Sequence, residues 1–207
     1  MLMYCFYCVS CTDKSANEFQ TPDLALFALK GRVKECRTYY FKTIGSDGNV
    51  IKGDSLGHYS KDVLGYSAAG EITFISDYGM LADEGITIKR NDYGRITAII
   101  CESPMSEIEG GGTFVRGEEW EYDAGGRPCR NVPYDDMEGE YADDRIEYDD
   151  DNNICKFEDK GRYPCEITYR YIEFDSHNNW TKRIATYQEI LNEPRMQYEE
   201  RTIIYYE

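Results

Sequence analysis

"EYDAGGRPCR" (Glu121–Arg130), "EYDDDNNICK" (Glu147–Lys156) and "EFDSHNNWTK" (Glu173–Lys182) begin 26 residues apart each time and repeat one pattern. An acid and an aromatic precede Asp, two variable residues follow, and then comes Gly or Asn. Anchored on that last residue, six copies run along the chain, at Gly48, Gly70, Gly94, Gly126, Asn152 and Asn178. Three residues before each anchor stand Gly45, Ser67, Asn91, Asp123, Asp149 and Asp175. Four before stand Ile44, Tyr66, Arg90, Tyr122, Tyr148 and Phe174, and two after come Val50, Ile72, Ile96, Pro128, Ile154 and Trp180. A recurring unit of this length is one supersecondary element that buries its apolar face only against its neighbours.

Each position has a physical job. Gly and Asn are the residue types that accept positive φ, as a hairpin turn demands. An Asp or Asn side chain three residues earlier accepts hydrogen bonds from backbone N–H groups just ahead and closes the turn locally. The aromatic and the branched residue then face each other across adjoining strands. The intervals between turns agree, because "EITYRYIEFD" and "ERTIIYYE" alternate with period two and no long window keeps a helical period. Nineteen tyrosines and 18 glycines in 207 residues fit the same class. The expectation is an all-β fold of antiparallel strand-turn-strand repeats in one long meander of about 12 strands. A sheet of that width curls into a barrel-like or strongly coiled form. "EIEGGGTF" (Glu107–Phe114) reads as a loose excursion within a continuous sheet, and "PDLALFALKG" (Pro22–Gly31) as a short helix or packed lead-in.

Charge is uneven. Residues 1–100 carry 12 acids against 11 bases, and residues 101–207 carry 27 against 12, within a total of −16. Such a surface repels phosphate backbones, so nucleic acid is not an expected partner. The apolar, uncharged "MLMYCFYCVSC" (Met1–Cys11) is too short to span a bilayer. It is similar to the hydrophobic stretch of a bacterial lipoprotein signal, in which a small residue precedes the lipidated cysteine, here Ser10-Cys11. The chain is thus divided into a signal segment at 1–11, a linker and lead-in at 12–30, and a β-repeat domain at 31–207, with membrane contact only through a lipid on Cys11. Cys129 and Cys155 share a repeat position, but small buried thiols are the expectation for them and no disulfide framework is implied.

"EYDAGGR", with its Asn-anchored counterparts "EYDDDNN" and "EFDSHNN", resembles the YD-repeat (recombination-hot-spot) family. "LALFALKGRVKECRTYYFKTIGSDGNVIKGD" (Leu24–Asp54), taken with "FDSHNNWTKRIATY" and "ERTIIYY", resembles the small YD-repeat-like lipoproteins of Bacteroidetes. The resemblance implies strand-turn-strand repeats and a cell-envelope address, and it supplies no catalytic residues.

Chemistry is sparse. "GYSAAG" (Gly65–Gly70) lacks nucleophile-elbow spacing, and only His58 and His177 could serve as a base. "DDDNN" (Asp149–Asn153) starts like a calcium loop but has Ile154 and Lys160 where Gly and Glu belong, leaving only a looser cluster at Asp135, Asp136, Asp143 and Asp144. No cofactor and no metal site is expected. Exposed aromatics stack on sugars, which nominates Trp120, Tyr122, Tyr148, Tyr169, Tyr171 and Trp180 as ligand-binding residues, against the simpler reading of cross-strand packing. The leading expectation is a non-enzymatic envelope β-repeat lipoprotein that binds a glycan or another envelope protein. The rivals are an envelope polysaccharide hydrolase using acidic residues and a toxin or immunity-type repeat fragment.

Overall fold

The computed structural model describes residues 19–45, 50–56, 61–76, 79–104, 111–136, 143–161, 164–189 and 193–207. Gly48 and Cys11 lie outside the described residues, so the first turn and the lipid anchor remain expectations from sequence. A single short helix, α1 (Pro22–Leu26), opens the described fold. Thr21 caps it, its Oγ1 accepting from the Leu24 N–H at 3.3 Å, and Pro22 sits where no helical donor is needed. The strands follow: β1 (Val33–Ile44), β2 (Ile51–Ser55), β3 (Lys61–Tyr66), β4 (Ile72–Ile75), β5 (Gly79–Met80), β6 (Ile86–Arg90) and β7 (Ile96–Pro104). Then come β8 (Thr113–Tyr122), β9 (Pro128–Asp135), β10 (Asp144–Tyr148), β11 (Ile154–Asp159), β12 (Cys165–Phe174), β13 (Trp180–Glu189) and β14 (Arg195–Tyr205).

All of them form one antiparallel sheet in the order β5-β4-β3-β1-β14-β13-β12-β11-β10-β9-β8-β7-β6, with β2 paired to β1 beyond the end of β3. From β6 to β14 the sheet follows the sequence, as the repeats imply. Its beginning does not. β1 inserts between β3 and β14, matching Cys36 to both Leu64 and Ile203, so the first and last strands pair along nearly their whole length. The sheet is continuous on either side of residues 105–110, which lie outside the described residues, because β7 and β8 pair directly from Ala98↔Glu119 to Pro104↔Thr113.

The sheet is curled but not closed, and its two edges are neighbours in sequence. Residues 81–85 connect edge strand β5 to edge strand β6, a span of roughly 20 Å at full extension. This connector is tied to both sides: Leu81 N donates to Thr73 O at 2.9 Å, and Glu102 N donates to Gly85 O at 2.7 Å. α1 fills the seam from inside. Leu24, Leu26 and Leu29 join Leu64, Ile72 and Ile75 from one edge with Ile96, Ile99 and Trp120 from the other in one core. Asp23, only 2% exposed, accepts from Ile72 N on β4 and from the Arg90 guanidinium at the end of β6, so one carboxylate bridges the two edges.

Away from α1 the inner face becomes polar. Arg183 donates to Glu199 at 2.6 Å, Tyr40 donates to Asp62, and Arg183 and Arg201 lie 4.0 and 3.8 Å from the Trp180 ring centre. Cys129 on β9 and Cys155 on β11 are not neighbours, since β10 runs between them and two strand spacings amount to about 9–10 Å. Both are free thiols.

Asp144 sits at the start of β10, 5% exposed, and accepts from Lys160 N at 3.0 Å. Burial pushes its carboxyl up to about 6, with the charges of Asp159, Glu118 and Asp143 adding to the shift. The folded chain therefore holds this proton more tightly than the unfolded chain. The resulting penalty is absent below about pH 4 and complete above about pH 6. Asp144→Asn keeps the acceptor for Lys160 and is expected to raise stability by about 1–3 kcal/mol at pH 7.5 and by nothing at pH 4. Chemical denaturation of both proteins at the two pH values checks it.

Candidate functional site

The turns define one end of the sheet. Gly70, Gly94, Gly126, Asn152 and Asn178 have φ of 79°, 75°, 83°, 63° and 61°. In each turn the anchor N–H donates to the carbonyl three residues back, at 2.9–3.1 Å. The side chains at the −3 position close the turns. Asp149 Oδ1 accepts from Asp151 N and Asn153 N, Asp175 Oδ1 from His177 N and Asn179 N, and Asp123 Oδ1 from Arg127 N. A bulge in the register beside each turn gives the three-residue hairpin loop in which a left-handed residue precedes the returning strand.

Gly126→Val places a branched side chain at positive φ, and its Cβ would lie 2.0 Å from Arg95 Nη2. The expected cost is about 1–3 kcal/mol, against a few tenths for Ala124→Val in the same exposed loop. Thermal melts of the two variants decide it, and equal melting temperatures would contradict the turn assignment.

The tyrosines of the motif have a definite task. Tyr122 donates its hydroxyl to Ile96 O at 2.6 Å, Tyr148 to Pro128 O at 2.7 Å, and Tyr171 to Ile154 O at 2.7 Å. Each acceptor is the residue two places after the anchor of the preceding repeat. Where the last repeat has Phe174 and no hydroxyl, Tyr171 supplies the bond from three residues earlier. Burial pushes the Tyr122 phenol up to about 12 and raises those of Tyr148 and Tyr171, so all three are donors at neutral pH. The arginine after the anchor reaches forward. Arg95 lies 5.6 Å from the ring centre of Tyr122, and Arg127 lies 4.7 Å from that of Tyr148 while its Nη1 donates to Asn152 Oδ1 at 2.8 Å. Asp, Gly, Arg and Tyr of "YDxxGR" are thus accounted for by turn closure and by links between successive repeats.

The structure places the six nominated aromatics as follows. Trp120 is buried in the core, and Trp180, 3% exposed, has its ring beside two guanidinium groups. Tyr169 lies 3.8 Å below Arg183. Tyr122, Tyr148 and Tyr171 are engaged by the inter-repeat bonds. Trp120 and Tyr122 border one cavity, of about 700 Å³, and Tyr148 and Trp180 border another.

That cavity lies at the turn end. The segment at residues 19–31 crosses this end as a strap, fastened on one side by Thr21 Oγ1 donating to Gly70 O at 2.5 Å. On the other side Asn179 holds Lys30 at both its N–H and its carbonyl, each at 2.8 Å. Between the strap and the turns of Gly126, Asn152 and Asn178 a cleft of 680 Å³ remains. Gln20, Thr21, Pro22, Ala25, Ala28 and Lys30 line it from the strap, and Arg95, Arg127, Tyr148, Asn152, Asn153, Asn178 and Trp180 from the sheet. This lining has three cations and no carboxylate. Arg127 is paired with Asp123 at 2.7 Å, whereas among the described residues Lys30 and Arg95 have no carboxylate partner.

Sequence reasoning passed over Lys30, Arg95 and Arg127. The available signal was the position just after the turn anchor, which faces this cleft in three successive repeats. Of the acidic residues read as a loose calcium cluster, Asp143 is held by Arg130 and Arg145, and Asp144 is buried. Among the described residues no three His, Cys, Asp or Glu side chains are grouped for a metal ion. His177 stacks on Tyr205 at 4.2 Å, and Ser67 sits in the Gly70 turn. No family model matches the chain, and no curated protein matches it in sequence.

Proposed function

We propose that the chain is a non-enzymatic binding module whose ligand, a saccharide, seats in the cleft between the strap and the repeat turns. The observation that carries this reading is the lining itself, a 680 Å³ concavity bordered by amides, cations and aromatic edges on rigid hairpins. Side-chain amides suit sugar hydroxyls, which both donate and accept. Glycoside cleavage by paired carboxylates needs two acids flanking the scissile bond. The cleft lining offers none, which favours binding over hydrolysis.

An envelope address goes with this function. Its support is the apolar Met1–Cys11 stretch with Ser10 before Cys11, together with the resemblance to small YD-repeat-like lipoproteins. Intact mass of the protein from the membrane fraction reports cleavage before Cys11 and acylation in one measurement.

The binding reading is tested on an oligosaccharide array, with free sugar released into solution followed in parallel. Retention without release is expected. Asn178→Gly, which keeps the left-handed turn, together with Asn153→Ala is expected to weaken retention about thirtyfold, the order for two lost hydrogen bonds of about 1 kcal/mol each. A silent array, or release of shortened sugars, would overturn the proposal.

A further inference from the structure

The cleft is a positive island in an acidic molecule. The chain carries −16 overall, and the half that supplies most of the turns has 27 acids against 12 bases, yet the cleft lining holds Lys30, Arg95 and Arg127 with no acid among them. We infer that the ligand is a saccharide bearing an isolated carboxylate, of the uronic acid type, with its carboxylate held by Arg95 and Lys30. This inference rests on the binding function proposed above and names its ligand class.

Arg95 is held in place without an acid. Its guanidinium packs against Gly126, where even a Cβ would fall 2.0 Å from Nη2, and lies 5.3 and 5.6 Å from the rings of Tyr93 and Tyr122. Aromatic and backbone contacts thus orient the planar fork, while its capacity for a bidentate carboxylate stays unused. Lys30 is fixed at its backbone by Asn179 from both sides, so its ammonium swings from a rigid base. Arg127 contributes less, since Asp123 already neutralises it. Lys30 and Arg95 border one cleft with no carboxylate partner among the described residues, a charge that a neutral sugar would not need.

Charge spacing selects against polyanions. Asp123, Asp149 and Asp175 cap the turns directly behind the cleft. Charges within about 8 Å act on one another at physiological ionic strength. A nucleic acid or a densely sulfated chain would carry further anions onto that acidic surround, whereas one carboxylate among hydroxyls meets only the two cations and the amides of Asn153 and Asn178.

The test uses the full chain and three matched probes: otherwise neutral oligosaccharides carrying a single glucuronate, galacturonate or mannuronate residue (oligouronates), the same oligomers with that one carboxyl reduced to an alcohol, and heparin. At least one oligouronate is expected to bind, and its carboxyl-reduced counterpart at least tenfold more weakly. Lys30→Gln should give a similar loss without lowering the melting temperature, Arg95→Gln a similar loss with the fold retained by circular dichroism although its contacts to Tyr93 and Tyr122 are gone, and Lys182→Gln, on the exposed face of β13, none. Equal binding of the neutral oligomers would overturn the acidic ligand and leave the binding function standing. Failure of every oligosaccharide, acidic and neutral, would overturn both. Heparin binding as tight as the best oligouronate would show charge-driven adsorption and overturn the isolated-carboxylate assignment.

Discussion

Glu199→Ala is expected to destabilise the protein by about 3–5 kcal/mol, lowering its melting temperature by roughly 8–15 °C. Glu199 is 2% exposed on the inner face of β14 and holds Arg183 at 2.6 Å. Arg183 lies over Tyr169 and Trp180, and Arg201 lies over Trp180 as well, with its Nη1 buried and without a partner among the described residues. Burial lowers the Arg201 guanidinium below its ordinary range, a sign of how little compensation it has there. Removing Glu199 leaves two guanidinium groups inside the curl with the nearest paired carboxylate gone. The double variant Glu199→Leu/Arg183→Met removes the stranded partner and should recover part of the loss. A double variant as unstable as Glu199→Ala would show that packing, and not stranded charge, sets the cost.

The second large effect is at the seam. Asp23→Ala is expected to cost about 2–4 kcal/mol, because it strands the buried Ile72 N–H and breaks a charge-assisted pair with Arg90. Arg90 is partly solvated, which limits the charge contribution, so much of the loss comes from the backbone donor. Asp23→Asn keeps an acceptor for Ile72 and should cost about half as much. Hydrogen exchange gives the location: Ile72 and the amides of β4 and β6 should lose protection before those of β12 to β14. Uniform loss across the sheet would contradict the bridging role of Asp23.

Much of this fold was legible in the sequence because its turns are local devices. A left-handed Gly or Asn, an Asx cap three residues earlier and alternating strands all act within about ten residues, and they gave five described turns in place. Insertion of β1 between β3 and β14 was not legible, since nothing within a single repeat records a partner 155 or more residues away. Nor was the seam, which depends on one buried aspartate meeting two edges. The tyrosines show the limit most clearly. Their position four residues before the anchor was visible, but the hydroxyl acceptor lies in the preceding repeat, and Tyr171 takes over where Phe174 has no hydroxyl. Three of the aromatic residues nominated as sugar platforms, Tyr122, Tyr148 and Tyr171, thus also link one repeat to the next. The cleft was hidden for a related reason: Lys30 comes from the lead-in and Arg95 from an early repeat, and only the curl brings them to the later turns.

Amide chemical-shift mapping with the tightest oligosaccharide tests the placement of the site most directly. Shifts are expected at Gln20–Lys30, Gly94–Arg95, Gly125–Arg127, Asn152–Asn153 and Asn178. Shifts centred on the exposed outer residues Ile172 and Ile204, with the strap and turns unchanged, would contradict it.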